Sequence, residues 1–400
     1  MIARCRELAR ITDVPGETTR LFLSPATKRA HELLLGWMRS AELDTRVDDA
    51  GSVRGLWRCG REDAPVLLLF SHIDTVPNAG AFDGPLGVLA GLAVVEELRR
   101  EGVALPFDVE LIAFSEEEGV RFGFPFLSSL AATGQLTEEQ LARTDAEGIS
   151  VADAVRGFGL EPSRIAETCA LPARSFAAIE VHIEQGPVLD SAGESIAVVQ
   201  GIIGQSRLRF TFEGHANHAG TTPMAQRQDA LAAAAEWIVA VENYAREREP
   251  LVATVGRVEV SPGAGNVVPG RVVATVDVRH PEDGSRCAAV RDFEGAAKEA
   301  GEKRGVRVNA SAVSEQASVP MNAALTRGLQ RAAERAGYSA RVMFSGAGHD
   351  AMIVAPHVPT TMLFVRSPGG LSHHPDEAVR EEDVEAALAT VVEWIRQLRL

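Results

Sequence analysis

Five short, mainly apolar segments, each closed by polar residues, set the plan of the chain. Residues 65–70 are apolar throughout and predict a fully buried strand. A helix follows over residues 86–100, with Pro85 in its first turn. Residues 108–114, 177–181, 341–344 and 361–365 predict four more strands. The polar clusters at or just beyond their ends are His72 and Asp74, then Ser115-Glu116-Glu117-Glu118, His182-Ile183-Glu184-Gln185, Gly348-His349-Asp350 and Ser372-His373-His374. Ligands bind where strand ends open at the edge of an α/β sheet, so one site assembled from several strand ends is expected.

The remaining pattern is helical or antiparallel. Ser24 and Pro25 open a helix through residue 38, with Ala30, Leu33, Leu34 and Trp37 on one face. Residues 45–47 and 56–59 flank a turn and suggest a hairpin. Residues 121–133 carry a helical bias, and 136–172 are charged and helical in character. After a strand at 197–203 the order changes to strand 208–212, helix 229–248, strands 251–260 and 271–279, helix 285–303 and strand 306–313. That βαββαβ order predicts a ferredoxin-like module inserted into the first domain. The expected division is residues 1–205 with 317–400 for the first domain and 206–316 for the module. In the module's third strand Val272, Ala274, Val276 and Val278 alternate with Val273, Thr275, Asp277 and Arg279, which places Arg279 on the face away from the helices.

Composition narrows the function. The 400 residues are 46% hydrophobic and 24% charged, as in a globular protein with an ample core. A formal net charge of -15 with no basic block argues against nucleic acid and anionic membranes as partners. Four cysteines without CxxC spacing fit a reducing compartment. Neither a signal-peptide pattern nor a membrane-spanning run is present, so a cytoplasmic protein is expected.

The strand-end residues carry chemistry. His72 and Asp83 offer an imidazole nitrogen and a carboxylate oxygen to a metal. Asp74, two residues after His72, points the same way on an extended chain and can take the other ring N–H. Asn78, Gly80 and Gly84 supply the turns that fold Asp83 back. The glycines at 346 and 348 make no phosphate loop, since no Gly-Lys-Ser/Thr follows.

The stretches SHIDTVPNAGAFDG, EEGVRFGFPFLSS, HIEQGPVL, ANHAGTTPM, NVVPG, DVRHP, SGAGHDA and GLSHHP resemble the M20 metallopeptidase-like amidohydrolases. Within them the chain is most similar to the branch of N-carbamoyl-L-amino acid hydrolases, β-ureidopropionases and allantoate amidohydrolases. The likeness runs from about residue 18 onward. It implies a zinc-exopeptidase-like α/β catalytic domain with a mixed sheet between helices, and an inserted α+β domain serving as lid and dimer contact.

The resemblance also implies roles. His72, Asp83, Glu118, His182 and His373 would hold two divalent ions, with Asp83 bridging. This His and carboxylate set suits Zn, Mn, Co or Ni. Glu117 would be the general base, with a shifted frame (Glu116 as base, Glu117 as ligand) as the alternative. His218 would donate to the developing oxyanion, often across a dimer, and Asn266 with Arg279 would hold a substrate carboxylate. Gln185 and Gln205 are further candidate substrate contacts. His215 and His374 are expected to be structural or supporting, and His349-Asp350 to cap the following helix or touch substrate. The implied activity is hydrolysis of a linear ureido C–N bond in a small acid, with ammonia released. Residues 199–208 and 362–366 look more like the allantoate-degrading members. An N-carbamoyl-L-amino acid hydrolase or β-ureidopropionase is the nearest alternative, and an aminoacylase, a dipeptidase or a non-catalytic binding protein is more distant.

Overall fold

The computed structural model describes residues 1–399. It divides into two units, 1–200 with 320–400 and 201–319.

The first unit is built on a mixed sheet. Its central strands are Asp108–Phe114, Val66–His72, Ser175–Ile183 and Thr360–Val365, each parallel to its neighbour. Val53–Trp57 continues antiparallel beside Asp108–Phe114 and is itself flanked by Asp44–Val47. On the other side Ile196–Ile202 lies antiparallel to Thr360–Val365 and also pairs with Ala340–Ser345. Every residue of Val66–His72 and of Asp108–Phe114 is buried, as strands covered on both faces require. The helix Pro85–Arg100 packs on this sheet through a long apolar face, with eleven of its residues buried. Gly87 lets it approach, because a Cβ there would run into the Val181 carbonyl.

Two local readings change. The helical bias of 121–133 becomes helix only at Leu127–Ala132. Gly119 and Gly123 adopt positive φ and Pro125 follows, so the backbone turns before the helix can start. Residues 136–172 carry three short α-helices, Glu138–Leu141, Val151–Phe158 and Ile165–Thr168.

The second unit is a four-stranded antiparallel sheet in the order Arg307–Gln316, Gly204–Glu213, Arg271–His280, Val252–Ser261. Two helices, Ala230–Arg246 and Asp283–Glu302, pack on the sheet, and Phe210, Phe212, Trp237, Val272 and Phe293 fill its core. The alternation read from the sequence holds: Val272, Ala274, Val276 and Val278 are buried, while Val273, Thr275, Asp277 and Arg279 are partly exposed. The unit runs from Gly201 to Val319, and its first strand starts at Gly204, which pairs with His280.

Candidate metal centre and active site

Four strand ends of the first unit deliver the site. Val66–His72 ends on His72, and the following turn, with Asn78 at φ 53°, brings Asp83 back beside it. Gly84 has φ 85°, and a Cβ on it would strike the His72 ring. Asp108–Phe114 leads to Glu116, Glu117 and Glu118, Ser175–Ile183 carries His182, and the loop after Thr360–Val365 carries Ser372 and His373.

Asp83 is the centre of the cluster. Its Oδ1 is buried with no hydrogen-bond partner and faces Nε2 of His182 at 3.2 Å and Nε2 of His72 at 3.8 Å. The two imidazole Nε2 atoms are 3.4 Å apart. Its Oδ2 faces Nε2 of His373 at 3.2 Å, and that nitrogen is 3.4 Å from Glu118 Oε1. Two ligand groups therefore share one carboxylate: His72, Asp83 and His182, and Asp83, Glu118 and His373, each set with its donor atoms within 4.8 Å of one another. An orphaned buried oxygen among imidazole nitrogens fits a divalent cation, and so does the donor chemistry of three imidazoles and two carboxylates.

The electrostatics carry the same demand for positive charge. Burial opposes ionisation of Asp83, yet the imidazoles of His182 and His373 hold its carboxyl well below the usual range. Burial also opposes a charged His72, but Asp74, Glu117 and Glu118 raise its imidazole well above the ordinary value. His373 is raised to about 10 by Asp83 first and Glu118 second.

Glu117 is buried next to this cluster, and burial pushes its carboxyl well above the usual range. Glu117 and Glu118 form a further set of close donors with His72. Glu116 is buried with Oε1 unpartnered, and its backbone N–H donates to Ser128 Oγ. Asp74 sits behind these groups, with Oδ1 3.2 Å from His72 Nδ1. Its two oxygens also accept the backbone N–H groups of Glu117 and Glu118, both at 3.0 Å.

Gln185 is placed on the cluster itself. Its backbone is left-handed at φ 59°, and its Nε2 donates to Asp83 Oδ2 at 2.8 Å. His349 does not cap the helix Asp350–Val354 with its side chain. It turns inward instead: Nε2 lies 2.8 Å from Ser345 Oγ, and its ring centroid is 4.5 Å from that of His182. Asp350 is fully buried with neither oxygen hydrogen-bonded, and burial followed by the Glu180 charge raises its carboxyl well above the usual range. His374 accepts the Asp376 N–H at Nδ1 and is half exposed.

The other candidate residues belong to the second unit. His218 is exposed, and its Nδ1 accepts the Gly220 N–H at 3.0 Å. A short ladder pairs His218 with Val267, the residue after Asn266, so these two candidates share one corner. Arg279 donates from Nε to Asp277 Oδ1 at 2.8 Å, and Gln205 Nε2 donates to Asp277 Oδ2 at 2.8 Å. Burial works against the Asp277 charge, but Arg279 and Arg207 lower its carboxyl below the usual range. His215 is exposed, and its backbone N–H donates to the Gln228 carbonyl at 2.9 Å.

One residue at the first unit's site was not singled out from the sequence. Glu377 is buried, and its Oε1 accepts the backbone N–H of Phe82 at 2.8 Å and of Asp83 at 3.0 Å. Burial, then the Asp83 charge, raises its carboxyl to about 7. The only sequence signal was an acidic residue shortly after a candidate histidine ligand, which many surface loops share.

The chain is similar to known proteins along nearly its whole length. Residues 68–397 match the peptidase family M20/M25/M40. The chain is 39% identical to an N-carbamoyl-L-amino acid amidohydrolase of Geobacillus stearothermophilus over 99% of this chain and 97% of that one. It is 38% identical to an allantoate deiminase of Arabidopsis thaliana over 98% of this chain and 81% of that one. A crystal structure of a hydantoinase/carbamoylase family amidase from Burkholderia multivorans superposes with a TM-score of 0.92 at 32% identity, covering 98% and 96% of the two chains. The chain belongs to the M20 family, in its hydantoinase/carbamoylase branch. It is a metal-dependent amidohydrolase acting on C–N bonds.

Proposed function

We propose that the protein is an allantoate amidohydrolase with two divalent metal ions per subunit. The observation that carries the two-ion reading is the division of the Asp83 carboxylate between two ligand groups. His72 and His182 would hold one ion and Glu118 and His373 the other, with Asp83 common to both. When bound, such ions supply Lewis acidity and lower the pKa of water.

The chain's own residues would do the rest. Glu117, buried beside the cluster, would take the proton of the attacking water and deliver it to the leaving nitrogen. Asp74 would keep the His72 ring in the tautomer that presents Nε2. His218 would donate to the developing oxyanion, an interaction worth a few kcal/mol in comparable sites, on the order of 10²–10³ in rate. Asn266 and Arg279 would hold the substrate carboxylate, for which the planar guanidinium fork is suited. Gln205 beside Arg279 would contribute an amide, and Gln185 would contact the ureido group once Asp83 is engaged elsewhere. The second unit would act as lid and as the contact of a homodimer, in a cytoplasmic protein.

Support for allantoate comes from residues 199–208. Arg366, in the other stretch that resembles allantoate enzymes, is buried in a two-point ion pair with Asp383 and is not available to a substrate. The 39% identity to an N-carbamoyl-L-amino acid amidohydrolase favours that activity as the second reading.

The test is ammonia release by the Mn- or Zn-reconstituted protein from allantoate and from a panel of N-carbamoyl-L-amino acids, with Glu117→Gln as control. Turnover of allantoate alone, lost in the variant, is the expected result. Turnover of carbamoyl amino acids instead would move the substrate to the second reading. Silence on every ureido acid with metal bound would overturn the assignment.

A further inference from the structure

We propose that Glu377 is a positioning residue that sets the shared carboxylate of the metal centre by holding its backbone. This rests on the reading of Asp83 as the ligand common to two ions.

Three contacts carry the inference. Glu377 Oε1 accepts two consecutive backbone N–H groups, those of Phe82 and Asp83, at 2.8 and 3.0 Å. These donors lie in the turn just ahead of the helix Pro85–Arg100 and are buried. Without an acceptor, each buried N–H would carry its full desolvation cost. The second contact is through Ser372, whose hydroxyl donates to Asp83 Oδ2 at 2.6 Å and lies 3.4 Å from Glu377 Oε2. The third is steric. A Cβ at Gly80 would run into the Glu377 side chain, so the turn is moulded around this carboxylate.

The outcome is a clamp. Glu377 is four residues from His373 on one short loop, and its own N–H donates to the His374 carbonyl at 3.0 Å. One side chain thus ties the loop that carries His373 to the turn that carries Asp83, across 295 residues of sequence. Asp83 and His373, which join Glu118 in the second ligand group, both depend on that tie. The clamp needs reach and an acceptor oxygen at Oε1, and it does not need negative charge.

The test separates reach from charge. Glu377→Gln keeps the length and an acceptor oxygen, and Glu377→Asp keeps the charge but shortens the arm by one methylene. Affinity for Zn is measured by competition with a chromogenic chelator, and bound metal is counted by elemental analysis. Circular dichroism and the melting temperature confirm that each variant is folded. Glu377→Gln should hold metal within about threefold of wild type, while Glu377→Asp should lose about 10–100-fold, the range seen when supporting partners of metal ligands are removed. Equal retention by Glu377→Asp, or a loss in Glu377→Gln as large as in Glu377→Asp, would overturn the clamp. A wild-type protein that binds fewer than two ions would instead overturn the two-ion reading on which the clamp stands. If Glu377→Asp does not fold, Ser372→Ala takes its place; it should lower affinity in the same assay, and unchanged affinity would count against the clamp.

Discussion

The carboxylate of Asp74 meets Nδ1 of His72 at 3.2 Å and at the same time accepts the backbone N–H groups of Glu117 and Glu118 at 3.0 Å. One residue therefore orients a candidate ligand and fixes the chain that carries both the candidate base and another ligand. Asp74→Ala should lower metal affinity by about 10–100-fold and reduce turnover at saturating metal as well. A chelator competition and steady-state ammonia release measure the two effects. Loss of affinity with full turnover at saturating metal would show that Asp74 does not set the Glu117 loop.

Metal removal should act on stability as well as activity. A ligand that binds only the folded state stabilises it by mass action, by about 2.7 kcal/mol when present at about 100 times its dissociation constant. Dialysis against a chelator should abolish ammonia release and lower the melting temperature, and Mn or Zn should restore both. An unchanged melting temperature would mean that the cluster binds no ion tightly.

Gly84→Ala should be costly. Its φ of 85° is a conformation that residues with a Cβ adopt only under strain, and the added methyl would strike the His72 ring. Backbone strain of this kind costs on the order of 1–3 kcal/mol before the collision is counted. Urea unfolding should show at least that loss, together with weaker metal retention. A variant with wild-type stability would show that the turn relaxes around the ring.

His31 gives a pH dependence away from the metal centre. It is buried, its Nε2 has no hydrogen-bond partner, and its ring meets Phe158 edge-on. Burial, then the Arg20 charge, lowers its imidazole from 6.5 to about 4. The unfolded chain therefore binds more protons between those values, and stability falls as pH falls through that window. The contribution is complete above about 6.5 and lost towards 4. Between about pH 7.5 and about pH 5 it amounts to about 2 kcal/mol. Urea unfolding of His31→Leu should show a smaller loss over this range than wild type by about that amount; identical losses would place the titration elsewhere.

The proposed dimer has a surface that can be tested. Val252–Ser261 stands at one edge of the second unit's sheet, with Val252 53% and Val258 41% exposed. The helix Ala230–Arg246 packs beside it and leaves Val239 55% exposed. Open edges with apolar side chains pair with other chains unless something blocks them. Val239→Glu combined with Val258→Lys should convert a dimer to a monomer in light scattering. A dimer that survives both would place the contact on another face.

Much of this site was legible because a buried parallel strand leaves a plain trace, an apolar run that stops at a polar residue. The strand ends that bear His72, the run of Glu116, Glu117 and Glu118, and His182 follow from that rule, and the turn residues around Asp83 pointed to its return, whereas the choice of Glu118 and the ligand roles came from the resemblance to the M20 family. The alternation around Val276 gave the module's buried face for the same reason. Residues whose surroundings arise from chain crossings were not legible. Glu377 looks like any acidic loop residue until the Asp83 turn is folded over it. His349 sits at a helix start, where a polar side chain usually caps, but its ring is drawn inward to Ser345 and His182. The helix expected from residue 121 fails on backbone conformation at Gly119 and Gly123, which apolar periodicity does not register.

The strand Thr360–Val365 lies between Ser175–Ile183 and Ile196–Ile202, although the whole second unit is inserted before it in sequence. The pairing partners of the second unit's four-stranded sheet all lie within its own stretch of chain, so that sheet can form early and locally. The first unit cannot. During synthesis the strand bearing His182 must wait with an open edge until the chain beyond the insertion arrives to cover it. On the proposed two-ion reading, only the second ligand group is deferred to the end of assembly, because a nascent chain that has not reached His373 can offer His72, Asp83 and His182 but not the set of Asp83, Glu118 and His373.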